Sequence, residues 1–122
     1  MDNREIAVAF LRLCASGAVR DAYERHVAAD FVHHNAWFPG DRESLLLAME
    51  KSAATEPNKA FEPRHVIDGG DRIAVLSHLV RAGAGVEIAV VHILRFEAGR
   101  IVEMWDVAQE IPADSPNALG MF

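Results

Sequence analysis

Cysteine is almost absent from this chain. Cys14 is the only one in 122 residues, which excludes an intrachain disulfide and a thiolate metal cluster. It lies beside Leu11 and Leu13 at helical spacing, where a cysteine serves as a small buried hydrophobe. Basic residues are outnumbered, 12 Lys and Arg against 18 Asp and Glu, for a net charge of −6. They are scattered singly, so no cluster exists to neutralise phosphates, and nucleic acid is excluded as a partner. No apolar run approaches the roughly 20 residues that span a bilayer, so no membrane association is expected. The opening M-D-N-R-E-I-A-V lacks the basic-then-apolar layout of a signal peptide, which makes a cytoplasmic location the expectation. Internal repeats and low-complexity linkers are missing as well. What is present is apolar: 51% of the residues, enough for one packed core in a single domain spanning residues 1–122.

Asp2 and Glu5 make a capping-box pair ahead of Ile6, Ala9, Phe10 and Leu13, predicting a helix from about residue 3 to 15. Val19, Tyr23, His26 and Val27 predict a second helix ending near Asp30. Phe31 and Val32 suggest a short strand, broken by the loop Trp37-Phe38-Pro39-Gly40. Asp41 is placed to cap a third helix with Leu45, Ala48, Met49 and Ser52 inward, ending near Thr55 ahead of Pro57. After Pro57 the pattern is that of strands, at about 60–68, 72–81, 86–96 and 100–109, joined by glycine-rich turns at 68–71, 83–85 and 97–99. The tail from Ile111 is turn-rich and predicts no regular element. Three helices and a mainly antiparallel sheet make an α+β domain, whose curved sheet would leave a concave face for a pocket.

Within F-E-A-G-R-I-V-E-M-W-D-V-A (96–108), Asp106 interrupts an apolar strand. A buried unpaired charge is costly, so such a carboxylate is either at an edge or the working group of a pocket. Alternation puts His92 on the face of Val86, Ile88, Val90, Leu94 and Phe96; Asp106 on that of Val102, Met104 and Ala108; and His78 on that of Ala74, Leu76 and Val80. A three-residue hairpin loop, with Gly99 left-handed, pairs His92 with Met104 and Asp106 with Val90, making His92 and Asp106 diagonal neighbours. A two-residue loop would flip the parity and seat His92 beside Trp105. For each residue a plainer role stands beside the functional one: a hydrogen-bonded core histidine for His78 or His92, a polar strand end for His33-His34-Asn35, and core or interface packing for Trp37 and Trp105. A metal site is not supported, because no H-x-H or H-x-x-x-H spacing occurs and adjacent His33 and His34 point to opposite sides of a strand.

The order helix-helix-strand-helix-sheet, with F-V-H-H-N at 31–35, F-E-A-G-R-I-V-E-M-W-D-V-A-Q at 96–109 and N-A-L-G-M-F at 117–122, resembles the SnoaL-like polyketide cyclases of the NTF2-like superfamily. The likeness is nearest to the branch of predicted aldol-condensation-catalysing proteins. It implies an NTF2-like cone fold and a cofactor-free acid–base enzyme holding a small hydrophobic molecule. Asp106 is then the proton-transferring base, with His92 or His78 orienting it or protonating an enolate oxygen, and Asn35 or His34 hydrogen-bonding that oxygen. Trp37, Phe38, Trp105, Met104 and Val90 would line the substrate site. The sequence departs from many relatives in one place: where they read E-H-W-D, this chain has Glu103-Met104-Trp105-Asp106. The resemblance also implies a homodimer through a sheet face bearing Val91, Ile93, Ile101 and Trp105. The fold hosts non-catalytic ligand-binding and dimerisation modules too, and that is the competing expectation.

Overall fold

The computed structural model describes residues 1–122, with three α-helices and five strands: α1 (Asn3–Ala15), α2 (Val19–His26), β1 (Val27–His33), α3 (Arg42–Thr55), β2 (Lys59–Asp68), β3 (Arg72–Arg81), β4 (Val86–Glu97) and β5 (Arg100–Glu110). The strands form one sheet in the order β1-β5-β4-β3-β2. All pairs are antiparallel except β1 with β5. No helix is long and apolar enough to cross a membrane.

The local signals behave as their chemistry dictates. The Asp2 side chain accepts the Glu5 N–H while Glu5 returns a bond to the Asp2 N–H, closing the capping box of α1. Asp41 accepts the Ser44 N–H at the start of α3. Helix α2 stops four residues earlier than its periodicity suggests. The chain turns extended at Val27, which is buried and pairs with Ile101 in the only parallel register of the sheet. Tertiary pairing overrides helical spacing there, and β1 absorbs residues 27–33.

One core joins the inner face of the sheet to α1, α2 and α3. Tyr23, Phe10 and Phe31 are its largest fully buried side chains. Cys14 is buried in it, and burial pushes its thiol up to about 12, which makes it an inert packing residue.

The β4–β5 hairpin differs from expectation in a way that matters for the site. Its loop has two residues: Glu97 pairs with Arg100, and both Ala98 (φ 50°) and Gly99 (φ 75°) are left-handed, the signature of a type I′ turn. A two-residue loop alone would move Asp106 off the face of His92. The register then shifts, because Phe96 pairs with Ile101 but Arg95 pairs with Glu103. Val102 is therefore an extra residue, a β-bulge that restores the parity. His92 lies directly opposite Asp106, where a diagonal placement was expected; Met104 faces Leu94, and Val90 faces Ala108. The bulge also turns Ile101 inward. It is fully buried in the core and not on the outer face with Val91, Ile93 and Trp105.

Left-handed backbone costs an alanine about 1–2 kcal/mol, whereas asparagine tolerates it. Ala98→Asn creates the Asn-Gly pair that type I′ turns favour and is expected to stabilise the protein by about 0.5–1 kcal/mol, raising Tm by roughly 2–5 °C. Thermal unfolding checks this; an unchanged or lower Tm refutes the turn assignment.

The register between β3 and β4 corrects the placement of His78. Val75 pairs with His92 and His78 with Ala89, so the inner face of β3 carries Ile73, Val75 and Ser77, each fully buried. His78 sits on the opposite face with Ala74 and Leu76. There its ring accompanies Glu87 (Nε2···Oε1, 2.9 Å) and packs against Phe122, with ring centroids 5.0 Å apart. The C-terminal end thus lies over the outer face, with the Arg64 guanidinium 5.1 Å from the Phe122 ring centroid.

Candidate functional site

Between the inner face of the sheet and the helices lies a cavity in two adjoining lobes. The inner lobe, about 190 Å³, is lined by Phe10, Leu11, Leu45, Ala48, Met49 and Ser52 from the helices, Phe38 and Asn35 from the loop after β1, and His92, Met104 and Asp106 from the sheet. The outer lobe, about 480 Å³, shares Asn35, Phe38, Met49, Ser52 and His92 and continues past Phe61 and Leu79 to Lys59 and Arg81.

Asp106 is only partly exposed, and its carboxylate is held by one residue. The Asn35 Nδ2 donates to Oδ1 at 3.0 Å and to Oδ2 at 2.9 Å. The amide has no freedom to flip, because Asn35 Oδ1 accepts the Trp37 N–H at 2.9 Å. With the oxygen so engaged, only the NH₂ can face the carboxylate. The Asn35 N–H in turn donates to His33 Nδ1 at 3.1 Å. His33 is buried, with the Asn35-facing nitrogen as acceptor and Nε2 carrying the proton without a protein partner. Strand alternation places His33 inward beside Phe31 and His34 outward. The turn that ends β1 thus aims the amide of Asn35 at the middle of β5.

His92 stands directly across the strands from Asp106. Its Nδ1 is buried without a hydrogen-bond partner, and the Phe61 ring meets it nearly edge-on. Desolvation lowers the pKa of the imidazole, and the Asp106 charge opposes that shift without reversing it. The neutral ring offers one donor and one acceptor nitrogen.

A pH dependence follows. The folded state resists protonating His92, whereas the unfolded chain takes the proton near pH 6.5. Its contribution to stability is therefore present above about pH 6.5 and is lost as the pH falls toward the lower folded value. Tm is expected to fall between about pH 7.5 and 5.5, with His92 contributing up to about 1.4 kcal/mol per pH unit. His26, whose pKa burial also lowers, adds a slope of the same sign. His92→Gln should flatten the profile but not abolish the slope; identical profiles for variant and parent would disprove the assignment.

The structure brings together Asp106, His92, Asn35, Phe38 and Met104 from the residues expected on sequence grounds. Others lie elsewhere. The His34 ring stacks on Trp105 on the outer face (5.0 Å, 8°), and His34 Nε2 pairs with Glu103 Oε2 at 2.7 Å. Trp37 is 86% exposed; its contribution to the site is its backbone N–H. Val90 is buried one step along the inner face from His92 but does not border the cavity. His78 is on the far side of the sheet. Sequence reasoning weighed His33 as a polar strand end and gave it no place in the site, and it passed over the α1 wall of Phe10 and Leu11. No group of three or more His, Cys, Asp or Glu side chains converges as a metal-ligand cluster.

Helices packed on a five-stranded sheet, with a carboxylate and an imidazole meeting in an apolar cavity, define a small α+β pocket protein. The family profile of the SnoaL-like domain matches residues 7–104. The chain belongs to that family. The matched stretch ends two residues before Asp106. Comparison with curated proteins finds no match. Among solved structures, the chain is similar to IdmH, a candidate polyketide cyclase from Streptomyces antibioticus (21% identity, TM-score 0.73, covering 88% of this chain and 92% of that one). It is similar too to a candidate polyketide cyclase from Acidithiobacillus ferrooxidans (16%, TM-score 0.74, 87% of each chain). An NTF2-like protein of unknown function from Cytophaga hutchinsonii also matches (14%, TM-score 0.72, 89% and 91%). At these identities the likeness establishes the fold alone.

Proposed function

We propose that this protein is an acid–base enzyme acting on a small hydrophobic carbonyl compound, catalysing an aldol-type cyclisation or a related isomerisation. The observation that carries the reading is the carboxylate of Asp106, clamped by Asn35 and set beside the desolvated neutral His92 of the neighbouring strand on the sheet wall of an apolar cavity. Asp106 takes a proton from the carbon next to the carbonyl. The electron pair of that C–H bond moves onto the oxygen to form an enolate, which His92 stabilises by donating a hydrogen bond. In an aldol step the enolate carbon then bonds to a second carbonyl carbon, whose oxygen collects the proton. Because the Asn35 NH₂ is occupied by both carboxylate oxygens, its role is to orient the base, and the enolate oxygen falls to His92. Membership of the SnoaL-like family and the candidate cyclases among the structural relatives support this reading.

A test independent of the natural substrate uses 2-tetralone, a compact apolar ketone, in deuterated water. The protein should accelerate deuterium uptake at the α carbon, read by proton NMR. Ala48→Trp, which fills the inner lobe, should remove that acceleration while the protein stays folded. Exchange that persists with the lobe filled would show that the chemistry is not in this cavity.

A further inference from the structure

We infer that the ligand of this cavity carries an anionic group, a carboxylate, at the end remote from its reacting carbonyl, and that Lys59 receives it. The inference rests on the reading of the cavity as the substrate site and adds a substrate class to it. The charged lining divides between the two lobes. Asp106 lines only the inner lobe, Asn35, His92 and Ser52 border both, and Lys59 and Arg81 line only the outer lobe, past Phe61 and Leu79. A molecule filling both lobes has a polar group at each end and an apolar body between.

The charges at the far end decide the sign. Arg81 is neutralised by Glu56, which accepts from its Nε at 2.8 Å and from its Nη2 at 2.5 Å. Lys59 is half-buried and has no carboxylate within ion-pair distance. Its ammonium donates to the hydroxyl of Ser52 at 2.5 Å and to the Ser52 carbonyl at 3.4 Å. Glu56 is close enough for the Lys59 charge to help lower its pKa, but the larger effect on it is the Arg81 hydrogen bond. Glu110 as well as Glu56 acts on Arg81, which leaves Lys59 as the cation of this end that no carboxylate engages directly, on a chain whose total is −6. An ammonium has three protons to donate, and Ser52, itself part of the lining, holds Lys59 at the cavity wall. A cation withdrawn from water toward apolar surroundings is best compensated by an anion. A ligand carboxylate supplies it. The same contacts let Lys59 cap the C-terminal end of α3, where the helix dipole favours a cation, so the test must separate binding from capping.

Decanoate and decanamide share an apolar chain and differ in charge. Titrated calorimetrically into the full chain near pH 7.5, where the acid is ionised, decanoate should bind roughly tenfold more tightly than decanamide, as one charge-assisted hydrogen bond allows. Lys59→Gln should erase that preference by weakening decanoate alone, and Lys59→Arg should restore most of it. Asp106→Asn should leave the preference intact, so a failed base assignment and a failed anion assignment give different results. Equal affinities in the parent protein, no binding of either compound, or a Lys59→Gln loss that is equal for both and tracks a lower Tm would overturn the proposal; the last would make Lys59 a helix cap only.

Discussion

Asp106→Asn is expected to lower turnover by about 10²–10⁴-fold, the range over which a positioned general base contributes, while leaving ligand affinity within a fewfold of the parent. The substitution keeps the size and shape of the side chain and removes only its charge and basicity. The Asn35 amide can still find an oxygen on the new side chain, so the cavity keeps its form. Loss of rate without loss of binding means that the carboxylate acts on the transition state and contributes little to uniform binding. Asn35→Ala should show a milder form of the same effect. It leaves the base chemically intact but frees a carboxylate now held by two contacts of 3.0 and 2.9 Å, and mispositioning by about 1 Å can cost on the order of 10²-fold. Steady-state rates paired with calorimetric affinities separate these outcomes. Turnover of the Asp106→Asn protein at more than about a tenth of the parental rate would remove Asp106 from the mechanism. A parent protein that binds ligand but turns nothing over would instead favour a binding module.

The second large effect is on stability. Tyr23→Ala should cost about 3–5 kcal/mol, most of what a domain of this size has available. Tyr23 is fully buried and is the hub of the core. Its ring lies 5.5 Å from that of Phe10 and 6.0 Å from that of Phe31, and the Arg42 guanidinium sits 5.4 Å from its centroid. Removing it opens a void beneath Phe10, a wall of the inner lobe, and strips Arg42, whose Nε is already buried without a partner, of its aromatic face. Tyr23→Phe should cost less than about 1 kcal/mol, because the hydroxyl donates only to the Met49 sulfur at 3.5 Å. Burial raises the pKa of that hydroxyl further above its ordinary range, so the contrast should not vary with pH below neutrality. Urea denaturation of the two variants gives the comparison. A Tyr23→Ala protein within about 1 kcal/mol of the parent would mean that the core does not depend on this ring.

Much of the fold was legible because its signals are local. The capping residues Asp2, Glu5 and Asp41 act within three positions of themselves, and the turn glycines at 69–70, 85 and 99 mark strand ends whatever surrounds them. The inward stripe of Leu45, Ala48, Met49 and Ser52 along α3 came from helical spacing alone, and that stripe lines the cavity. Asp106 stood out because a carboxylate in an apolar strand is anomalous under any fold. The faces of the strands were less secure. Alternation sorts side chains into two sets but does not say which set is inside, and a single extra residue exchanges them. His78 was assigned to the wrong side for the first reason, and Ile101 for the second.

The amino-acid order by itself thus determined the elements, the α+β class and the presence of one misplaced-looking charge, since each depends on neighbours a few residues apart. Tertiary structure alone decided what that charge meets. The two-residue turn at Ala98-Gly99 and the bulge at Val102 each shift the strand by one, and only their sum brings Asp106 opposite His92. Asn35 reaches the carboxylate from 71 residues away because β1 pairs in parallel with β5, a pairing that leaves no periodic trace in either strand. Long-range register is set by the packing of both faces at once, and that is why it had to be seen in the folded chain.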